Sequence, residues 1–404
     1  MEASIYRLRL RDILAICVMA LLAFGAMMVQ SASTSVHSTL PDGSSVSIDA
    51  RWEWSELALK HLKFVGMSIV AFFVIGRMNY QWLARPRSSA WRSPILWTYV
   101  IAALACGLVL VVGSRINGAQ RWLRLGPLQI QPSELAKWAV VLFLSYWLTS
   151  RPAPIEGFFT GFVPTLIPVG LMCLLVVRED FGTAALIGLC ALMMLLAGRV
   201  KIRHVILMLF PAIATALFFV LHSTGGYRMR RITAFLHPWD SPQGEGYHMI
   251  QSLLCFSTGG VFGRGLGNGI QKLGYLPEDT TDFIFAVICE ELGLFGAMLV
   301  IALYLGILYV SWQAVKQRRD DFGRMLAFGV GTMIGLQAAI NIAVATVSVP
   351  TKGLSLPLIS AGGSGLIITC AALGLLYTVS RLDHETIGER HSTGSSAAAA
   401  LITR

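Results

Sequence analysis

Asp282 is the residue of this sequence whose position best suits acid–base chemistry. It ends a long, polar, glycine-rich stretch and directly precedes the apolar run that starts at Phe283. A carboxylate at such a boundary is partly removed from water, which raises its pKa and prepares it to accept a proton. The alternative is structural, because an aspartate just before an apolar run can cap a helix by accepting backbone N–H groups. The residues alone leave both roles open.

Basic side chains accompany Asp282 in the polar segments and at the ends of apolar runs. Lys137 is notable because a lysine inside an apolar run usually faces a cavity or a partner. Trp122 stands next to Arg121 and could stack on a sugar or anchor at a membrane interface. For each cation the alternative is snorkelling to lipid phosphates. As a group they predict a site for a phosphorylated ligand, with the following candidates: Arg115, Arg121, Trp122, Lys137, Arg228, Arg231 and Lys352.

Metal, nucleotide and disulfide chemistry have no signature in the sequence. The eight histidines and seven cysteines form no metal-ligand spacing, so we predict neither a built-in metal site nor a disulfide framework. The glycine-rich stretch 259–269 lacks the GxxxxGK[ST] ending of a phosphate loop. A divalent cation could still enter with a phosphorylated substrate, because such ions bind mainly through substrate phosphates.

The composition defines the setting in which these residues act. The chain has 404 residues, of which 55% are hydrophobic and only 13% charged, and its net charge is +10. A soluble protein would have too little polar surface for such a chain. The basic balance does not indicate nucleic acid, because Lys and Arg accumulate in cytoplasmic loops of membrane proteins. The sequence predicts an all-α polytopic membrane protein.

Ten apolar segments have the length needed to cross a hydrocarbon core of about 30 Å as helices. The first, behind three arginines, also resembles a signal peptide, but the same pattern begins a membrane protein with a cytoplasmic N-terminus. The predicted spans are 12–30, 57–76, 95–113, 134–149, 159–177, 181–198, 204–222, 283–310, 325–347 and 365–380. An even number of spans places both termini on one side of the membrane.

The basic residues between spans place that side in the cytoplasm. A single integral membrane domain then covers residues 1–382, and residues 383–404 form a flexible cytoplasmic tail. Asp282 and most of the candidate cations fall on the outer side, in or beside the loops. The predicted outer loops are 31–56, 114–133, 223–282 (between spans seven and eight) and 348–364.

Several motifs resemble the SEDS family of membrane-embedded peptidoglycan glycosyltransferases, which includes FtsW, RodA and SpoVE. They lie in order over most of the chain, and their residues are more similar to those of the division and sporulation branch than to those of the elongation branch. The matching stretches are NGAQRWLRLGPLQIQPSELAKW (117–138), DFGTA (180–184), HPWDSPQGEGYHMIQSL and GLGNGIQKLGYLPEDTTDFIFAVICEELG in the long loop and the span that follows it, and PTKGLSLPLISAGGSG (350–365).

The resemblance implies that the chain polymerises lipid II into glycan strands at the outer face of the cytoplasmic membrane during division or related wall synthesis. The family's catalytic aspartate falls on Asp282, which we expect to act as general base in an inverting reaction. The expected partners are lipid II, a class B penicillin-binding protein, other division proteins and the membrane, with no nucleic acid. No built-in cofactor is implied, while a divalent cation bound with the substrate diphosphate remains open.

The chain departs from the family pattern at several positions. Thr280 stands where the family commonly has His, Gly274 where some members have Glu, and Glu179 where Pro usually precedes DFGTA. Ala361 and Gly365 stand where SYGGSS is usual. Two alternatives to a polymerase remain. The first is a lipid II flippase, which needs no carboxylate base and would suit an intramembrane lysine. The second is a non-catalytic scaffold for division.

Overall fold

A computed structural model describes most of the chain. It covers residues 9–33, 55–84, 93–116, 119–125, 128–150, 157–198, 200–221, 227–244, 246–350 and 353–381. The predicted tail 383–404 and most of the predicted loop 31–56 lie outside these residues.

Helices account for nearly all of the regular structure in these ranges, and each of the ten predicted spans overlaps one of them. A π-helical turn, Phe158–Phe162, leads directly into α6. The helices are α1 Leu10–Ser33, α2 Glu56–Arg77, α3 Gln81–Ala84, α4 Pro94–Val112, α5 Pro132–Thr149, α6 Val163–Val177, α7 Phe181–Ala197, α8 Ile202–Leu221, α9 Tyr227–Leu236, α10 Tyr247–Gly259, α11 Ile284–Gln317, α12 Asp321–Ala345 and α13 Ser364–Arg381.

Seven of the described helices are long and apolar enough to cross a membrane: α1, α2, α4, α6 with its preceding turn, α11, α12 and α13. α7 is apolar but shorter, at 17 residues. The chain is therefore a multi-pass helical membrane protein, and the total of ten spans stays a prediction.

Capping residues mark where several helices begin. The Ser55 side chain accepts a hydrogen bond from Ala58 N at the start of α2, and Asp320 does the same for Gly323 N at the start of α12. Proline occupies the first helical position of α4 and α5, where its missing N–H costs nothing. These signals fix the helix boundaries on which the site depends.

The predicted loop 114–133 contains a small antiparallel sheet in the order β1-β2-β3. Its strands are β1 Ser114–Ile116, β2 Ala119–Leu125 and β3 Leu128–Ile130. The segment predicted as an outer loop thus contains strands: backbone pairing between them satisfies polar groups that would otherwise need water. The sheet connects α4 to α5 and presents β2 to the site described below.

The long segment before α11 also has internal order, because α9, the 3-10 turn Pro238–Asp240 and α10 occupy part of the predicted loop 223–282. α10 packs against α11. α11 itself breaks at Gly293, whose backbone has φ 63° and ψ −155°. This conformation favours glycine, and a Cβ there would lie 2.4 Å from Gly263 N. The break brings the glycine-rich stretch against the first turns of α11.

The core lies where α1, α11, α12, α13, α2 and α5 pack together. α2 and α13 approach each other closely, since a Cβ added at Gly374 would lie 2.6 Å from Phe72 O. The segment between α12 and α13 folds back onto this bundle, where Leu356, Leu358 and Ile359 are buried. It thereby reaches the start of α11.

Candidate active site around Asp282

Asp282 lies just before α11 and does not cap it. The N-cap position of α11 is Phe283, which makes no side-chain capping hydrogen bond. Among the residues that the structure describes, none donates a hydrogen bond to the Asp282 carboxylate. The helix-cap alternative is therefore wrong, because the side chain supplies no acceptor to the helix.

The backbone leading to this carboxylate is held firmly. Three successive carbonyl groups accept hydrogen bonds from α12 or from the segment before α13. The contacts are Ala361 N to Thr280 O at 2.8 Å, Ser360 Oγ to Thr281 O at 2.6 Å and Asn341 Nδ2 to Asp282 O at 2.8 Å. Asp282 thus combines a fixed main chain with a carboxylate that no described side chain occupies.

Gly353 and Arg121 face the carboxylate. A Cβ added at Gly353 would stand 2.8 Å from Asp282 Oδ2 and 3.9 Å from Arg121 Nη1. The carboxylate and the guanidinium therefore line the same space, and the absence of a side chain at Gly353 keeps that space open. This juxtaposition joins β2, the start of α11 and the segment between α12 and α13.

The pKa of Asp282 is raised to about 7, mainly because burial disfavours the charged carboxylate, and to a smaller extent because the carboxylates of Glu278 and Asp180 lie nearby. The positive charges of Arg121 and Arg231 act in the opposite direction. Burial also raises the pKa of Asp279 to about 6. A carboxyl group whose pKa lies near neutrality is suited to take a proton from a hydroxyl group. The electrostatics therefore favour Asp282 as a general base.

Arg121 is positioned by its main-chain neighbours across the site. Its Nε donates to Glu179 O at 2.7 Å, and the adjacent Gln120 N donates to Glu179 Oε2 at 2.9 Å. These contacts tie β2 to the segment between α6 and α7. The terminal nitrogen Nη1 remains directed towards Gly353, where it can meet an anion.

Asp180 caps α7. Its Oδ1 accepts from Thr183 N at 3.0 Å and its Oδ2 from Thr183 Oγ1 at 2.7 Å. Gln131 Nε2 lies 3.5 Å from Oδ2. These contacts hold the Asp180 carboxylate at the start of α7, whereas no described residue holds that of Asp282 in this way.

Lys137 lies inside the bundle with a fully buried side chain. Its ammonium group pairs with Glu134 Oε1 at 2.9 Å and donates to Gln337 Oε1 at 2.8 Å. Gln337 Nε2 in turn donates to Ser355 O at 2.9 Å. Lys137 therefore supports the segment that carries Gly353, and its predicted contact with substrate stays a prediction.

The remaining predicted ligands are only partly described. Trp122 follows Arg121 on β2, so its side chain points to the opposite face of the sheet. Arg115 lies on β1, paired with Gln120, and Arg228 lies on α9, but the side chains of both are outside the described residues. Lys352 as a whole is outside them. Their predicted substrate contacts stay predictions, whereas among the described side chains Arg121 and Arg231 carry positive charge that acts on Asp282.

A second carboxylate cluster lies further along α11. Glu291 is fully buried and pairs with Lys272 Nζ at 2.7 Å. Ser31 Oγ donates to it at 2.7 Å and Gly267 N at 3.0 Å. The adjacent Glu290 accepts from Ile270 N at 2.9 Å. Glu291 is therefore paired with a basic residue inside the bundle.

The residues that sequence reasoning missed are Asn341 and Gln337 on α12. Both carry side-chain amides into an otherwise apolar span, and that position was the available signal, because polar groups in a span usually meet a partner. In the part of the chain that the structure describes, no group of three His, Cys, Asp or Glu side chains is arranged to hold a metal.

Within the described part of the chain, a helical membrane bundle places the Asp282 carboxylate and the Arg121 guanidinium along one open space, an arrangement suited to acid–base chemistry in a membrane-embedded enzyme. Comparison with known proteins gives the particular family. The family model of the FtsW, RodA and SpoVE cell cycle proteins matches residues 11–385. The chain belongs to this family.

Relatives in several bacteria bear the name probable peptidoglycan glycosyltransferase FtsW. The protein of Geobacter metallireducens is 37% identical over 372 residues, which cover 89% of this chain and 92% of that protein. The Geobacter sulfurreducens protein is 42% identical over 270 residues, covering 67% and 72%. The Coxiella burnetii protein is 33% identical over 378 residues, covering 92% and 95%.

Solved structures show the same fold. A chain from work on the coordination of polymerization and crosslinking by a peptidoglycan synthase complex superposes with a TM-score of 0.71 at 28% identity, covering 91% of this chain and 96% of that one. The crystal structure of the Thermus thermophilus rod shape determining protein RodA gives a TM-score of 0.63 at 26% identity, covering 92% and 96%. The similarity extends over nearly the whole bundle.

Proposed function

We propose that this chain is an FtsW-type peptidoglycan glycosyltransferase that polymerises lipid II with Asp282 as its general base. Membership of the family and the names of its relatives support the glycosyltransferase activity. The observation that carries the assignment of the base is the Asp282 carboxylate itself: no described residue donates a hydrogen bond to it, its pKa is raised to about 7, and the charges of Arg121 and Arg231 act on it.

The proposed reaction joins two lipid-linked sugars. The 4-hydroxyl of one lipid II sugar attacks the anomeric carbon of the other and forms the new glycosidic bond. Its proton passes to the Asp282 carboxylate as the bond to the lipid diphosphate breaks. A single displacement inverts the anomeric centre, so an α-linked donor gives a β-linked product without a covalent intermediate.

The leaving diphosphate needs positive charge rather than a general acid, because it departs as an anion. Arg121 and Arg231 already act electrostatically on Asp282, and this supports a role for them in stabilising the charge that develops in the transition state. We propose that Arg115, Arg228 and Lys352 extend this basic surface to the lipid-linked substrate. A divalent cation that enters with the diphosphate would add to the same effect.

The proposed cellular setting is the outer face of the cytoplasmic membrane during division, with both chain termini in the cytoplasm. The distribution of basic residues between the predicted spans supports this orientation. The similarity to a chain of a peptidoglycan synthase complex supports a penicillin-binding protein as the crosslinking partner.

The test is polymerisation of labelled lipid II by the purified protein, alone and with its cognate penicillin-binding protein. Wild type should produce glycan ladders that Asp282→Asn abolishes, because the amide keeps the shape and cannot accept the proton. Asp240→Asn is the matched control, since Asp240 is an exposed aspartate of the same outer segment. Its ladders should equal those of wild type.

The same experiment separates the polymerase from its rivals. Ladders that persist in Asp282→Asn would contradict Asp282 as the base. A folded wild-type protein that moves lipid II across vesicles without making ladders would identify a flippase. Neither activity, with binding to the division partner retained, would identify a scaffold.

A further inference from the structure

Asn341 connects the backbone of Asp282 to the segment that faces its carboxylate. The residue lies on α12, one helical turn after Gln337, and its side chain is fully buried. Its Nδ2 donates to Asp282 O at 2.8 Å and to Leu354 O at 2.6 Å. A primary amide has two N–H donors, so one nitrogen can serve both carbonyls.

The two carbonyls belong to opposite walls of the site. Asp282 supplies the carboxylate, and Leu354 directly follows Gly353, which stands against Asp282 Oδ2. Because one amide nitrogen holds both carbonyls, Asn341 fixes the separation between the carboxylate and the wall that partly buries it. Gln337 adds a second attachment through Ser355 O, and its amide groups pair with Ser355 and Lys137 instead of Asp282.

The amide oxygen of Asn341 helps to explain why an asparagine, and not an apolar residue, occupies this position. Its Oδ1 is buried and accepts no hydrogen bond from the residues that the structure describes. An unpaired buried acceptor is unfavourable, so packing alone does not account for an asparagine. The two donor contacts do account for it.

We propose that Asn341 is a positioning residue that holds Asp282 and the Gly353–Leu354 wall in register, an inference that rests on the proposed function. Asn341 acts through the backbone and does not touch the substrate. Its loss lets the wall separate from the carboxylate, admits water, and moves the base relative to the attacking hydroxyl. A displacement of about 1 Å in such a geometry can lower a rate by about 100-fold.

The test uses the full-length protein carrying Asn341→Leu, which has a similar branched shape and no donors. We expect kcat for lipid II polymerisation to fall by about 10- to 100-fold, with KM little changed, because the substrate-binding cations stay in place. We also expect the acid limb of the pH–rate profile to move to lower pH, since greater hydration favours the charged carboxylate.

The groups that face Asp282 from neighbouring elements must be considered in that profile. They are Glu278 in the preceding segment, Asp180 at the start of α7, Arg121 on β2 and Arg231 on α9. Asn341→Leu alters none of them. A shift of the acid limb therefore reports on the hydration of Asp282.

Ile334→Ala is the control for general damage to α12. Ile334 is fully buried on the same helix, two turns earlier. Its truncation should lower Tm at least as much as Asn341→Leu, while kcat per folded protein and the acid limb remain those of wild type. If Asn341→Leu does not fold, Asn341→Ser keeps one donor and should show a smaller fall in kcat with a shift in the same direction.

A direct readout separates this inference from the proposed function. The carboxyl infrared band that disappears in Asp282→Asn reports protonation of Asp282 without any turnover. A downward shift of its titration in Asn341→Leu supports positioning even if the wild-type protein makes no polymer. An unchanged titration, or a kcat within twofold of that of Ile334→Ala, would overturn the role of Asn341.

Discussion

Two carboxylates near the start of α11 have opposite surroundings. Glu291 is fully buried and is held by Lys272, Ser31 and the main chain of Gly267. Asp282 is only partly buried, yet no described residue donates a hydrogen bond to its carboxylate. The more deeply buried group is therefore the better satisfied one.

The difference follows from the cost of taking a charge out of water. A buried carboxylate persists in the ionised form when an opposite charge and hydrogen bonds replace the lost solvent. The glycine-rich stretch brings the N–H group of Gly267 against Glu291, and the residues that follow it bring Lys272. Around Asp282 the arginines are near but not paired with it, so burial prevails and raises its pKa to about 7.

Burial alone therefore does not distinguish the proposed base from a structural carboxylate in this protein. The number of hydrogen bonds that the carboxylate accepts from the described residues does distinguish them. Glu291 joins α11 to Lys272, Ser31 and Gly267, whereas the proposed role of Asp282 needs a carboxylate that can still accept a proton. A site that retains an unfavourable charge lowers stability in exchange for reactivity. The following predictions separate these two roles.

The largest expected effect is on catalysis by Asp282→Asn. General base catalysis contributes about 10²- to 10⁴-fold to a rate, so polymerisation of lipid II should fall by at least that range. The protein should remain folded, because no described hydrogen bond to the carboxylate is lost. The measurement is the initial rate of glycan ladder formation at equal amounts of folded protein. A fall of less than tenfold would assign the proton transfer to another group.

Glu291→Gln should instead act on stability. It leaves the Lys272 ammonium group buried without its countercharge, which costs about 3–5 kcal/mol. Thermal unfolding in detergent should show a clearly lowered Tm. The double variant Lys272→Met/Glu291→Leu should recover most of the loss, because removing both charges removes the unpaired one. A double variant as unstable as the single one would show that the ion pair is not the cause.

The sequence was sufficient to predict a bundle of membrane helices and to select Asp282 as the candidate carboxylate. Apolar length predicts helices, and every predicted span overlaps an observed helix. The boundary between polar and apolar sequence located Asp282 but could not decide between base and cap. Whether the side chain caps α11 depends on the path of the chain before Phe283, and hydrogen bonds from Ser360, Ala361 and Asn341, which are distant in sequence, fix that path.

The three-stranded sheet and the ion pair between Lys272 and Glu291 were not predicted from the sequence. Asn117-Gly118, between β1 and β2, is a frequent hairpin dipeptide, so the sheet had a signal that the expectation of a loop overlooked. The pairing of Lys272 with Glu291 had no local signal, because it requires the break at Gly293 and the approach of the glycine-rich stretch. Contacts of this kind arise only in the folded chain.

A matched pair of glycines sharpens the comparison. A Cβ at Gly353 would stand 2.8 Å from Asp282 Oδ2, and one at Gly269 would stand 3.0 Å from Glu291 Oε1. Gly353→Ala should turn the unheld Asp282 side chain aside and lower the polymerisation rate by about 10- to 100-fold with little change in Tm. Gly269→Ala meets a carboxylate that cannot move, so it should cost about 1–3 kcal/mol of stability.

Rate and Tm measured on both alanine variants check this contrast. Equal effects of the two substitutions on both quantities would mean that the carboxylates are held alike. That result would contradict the difference on which the assignment of Asp282 rests.

The smallest expected effect is a gain in stability on removing Asp282. Its pKa in the folded protein, about 7, lies above the ordinary value of 3.8, so between these values the native state binds more protons than the unfolded state. Stability therefore falls as the pH rises through this window. Asp282→Asn should raise Tm at pH 8, where the wild-type protein holds a charged carboxylate at a cost, and should leave Tm nearly unchanged at pH 4.

Asp279, whose pKa is raised to about 6, contributes to the pH dependence of both proteins, so the difference between variant and wild type isolates Asp282. Glu291→Gln should lower Tm at pH 8, because a buried pair is broken there. One amide substitution then stabilises the protein while the other destabilises it, although both remove a carboxylate near the start of the same helix. A loss of stability in Asp282→Asn at pH 8 would reveal a favourable contact to its carboxylate and would contradict the picture of an unoccupied base.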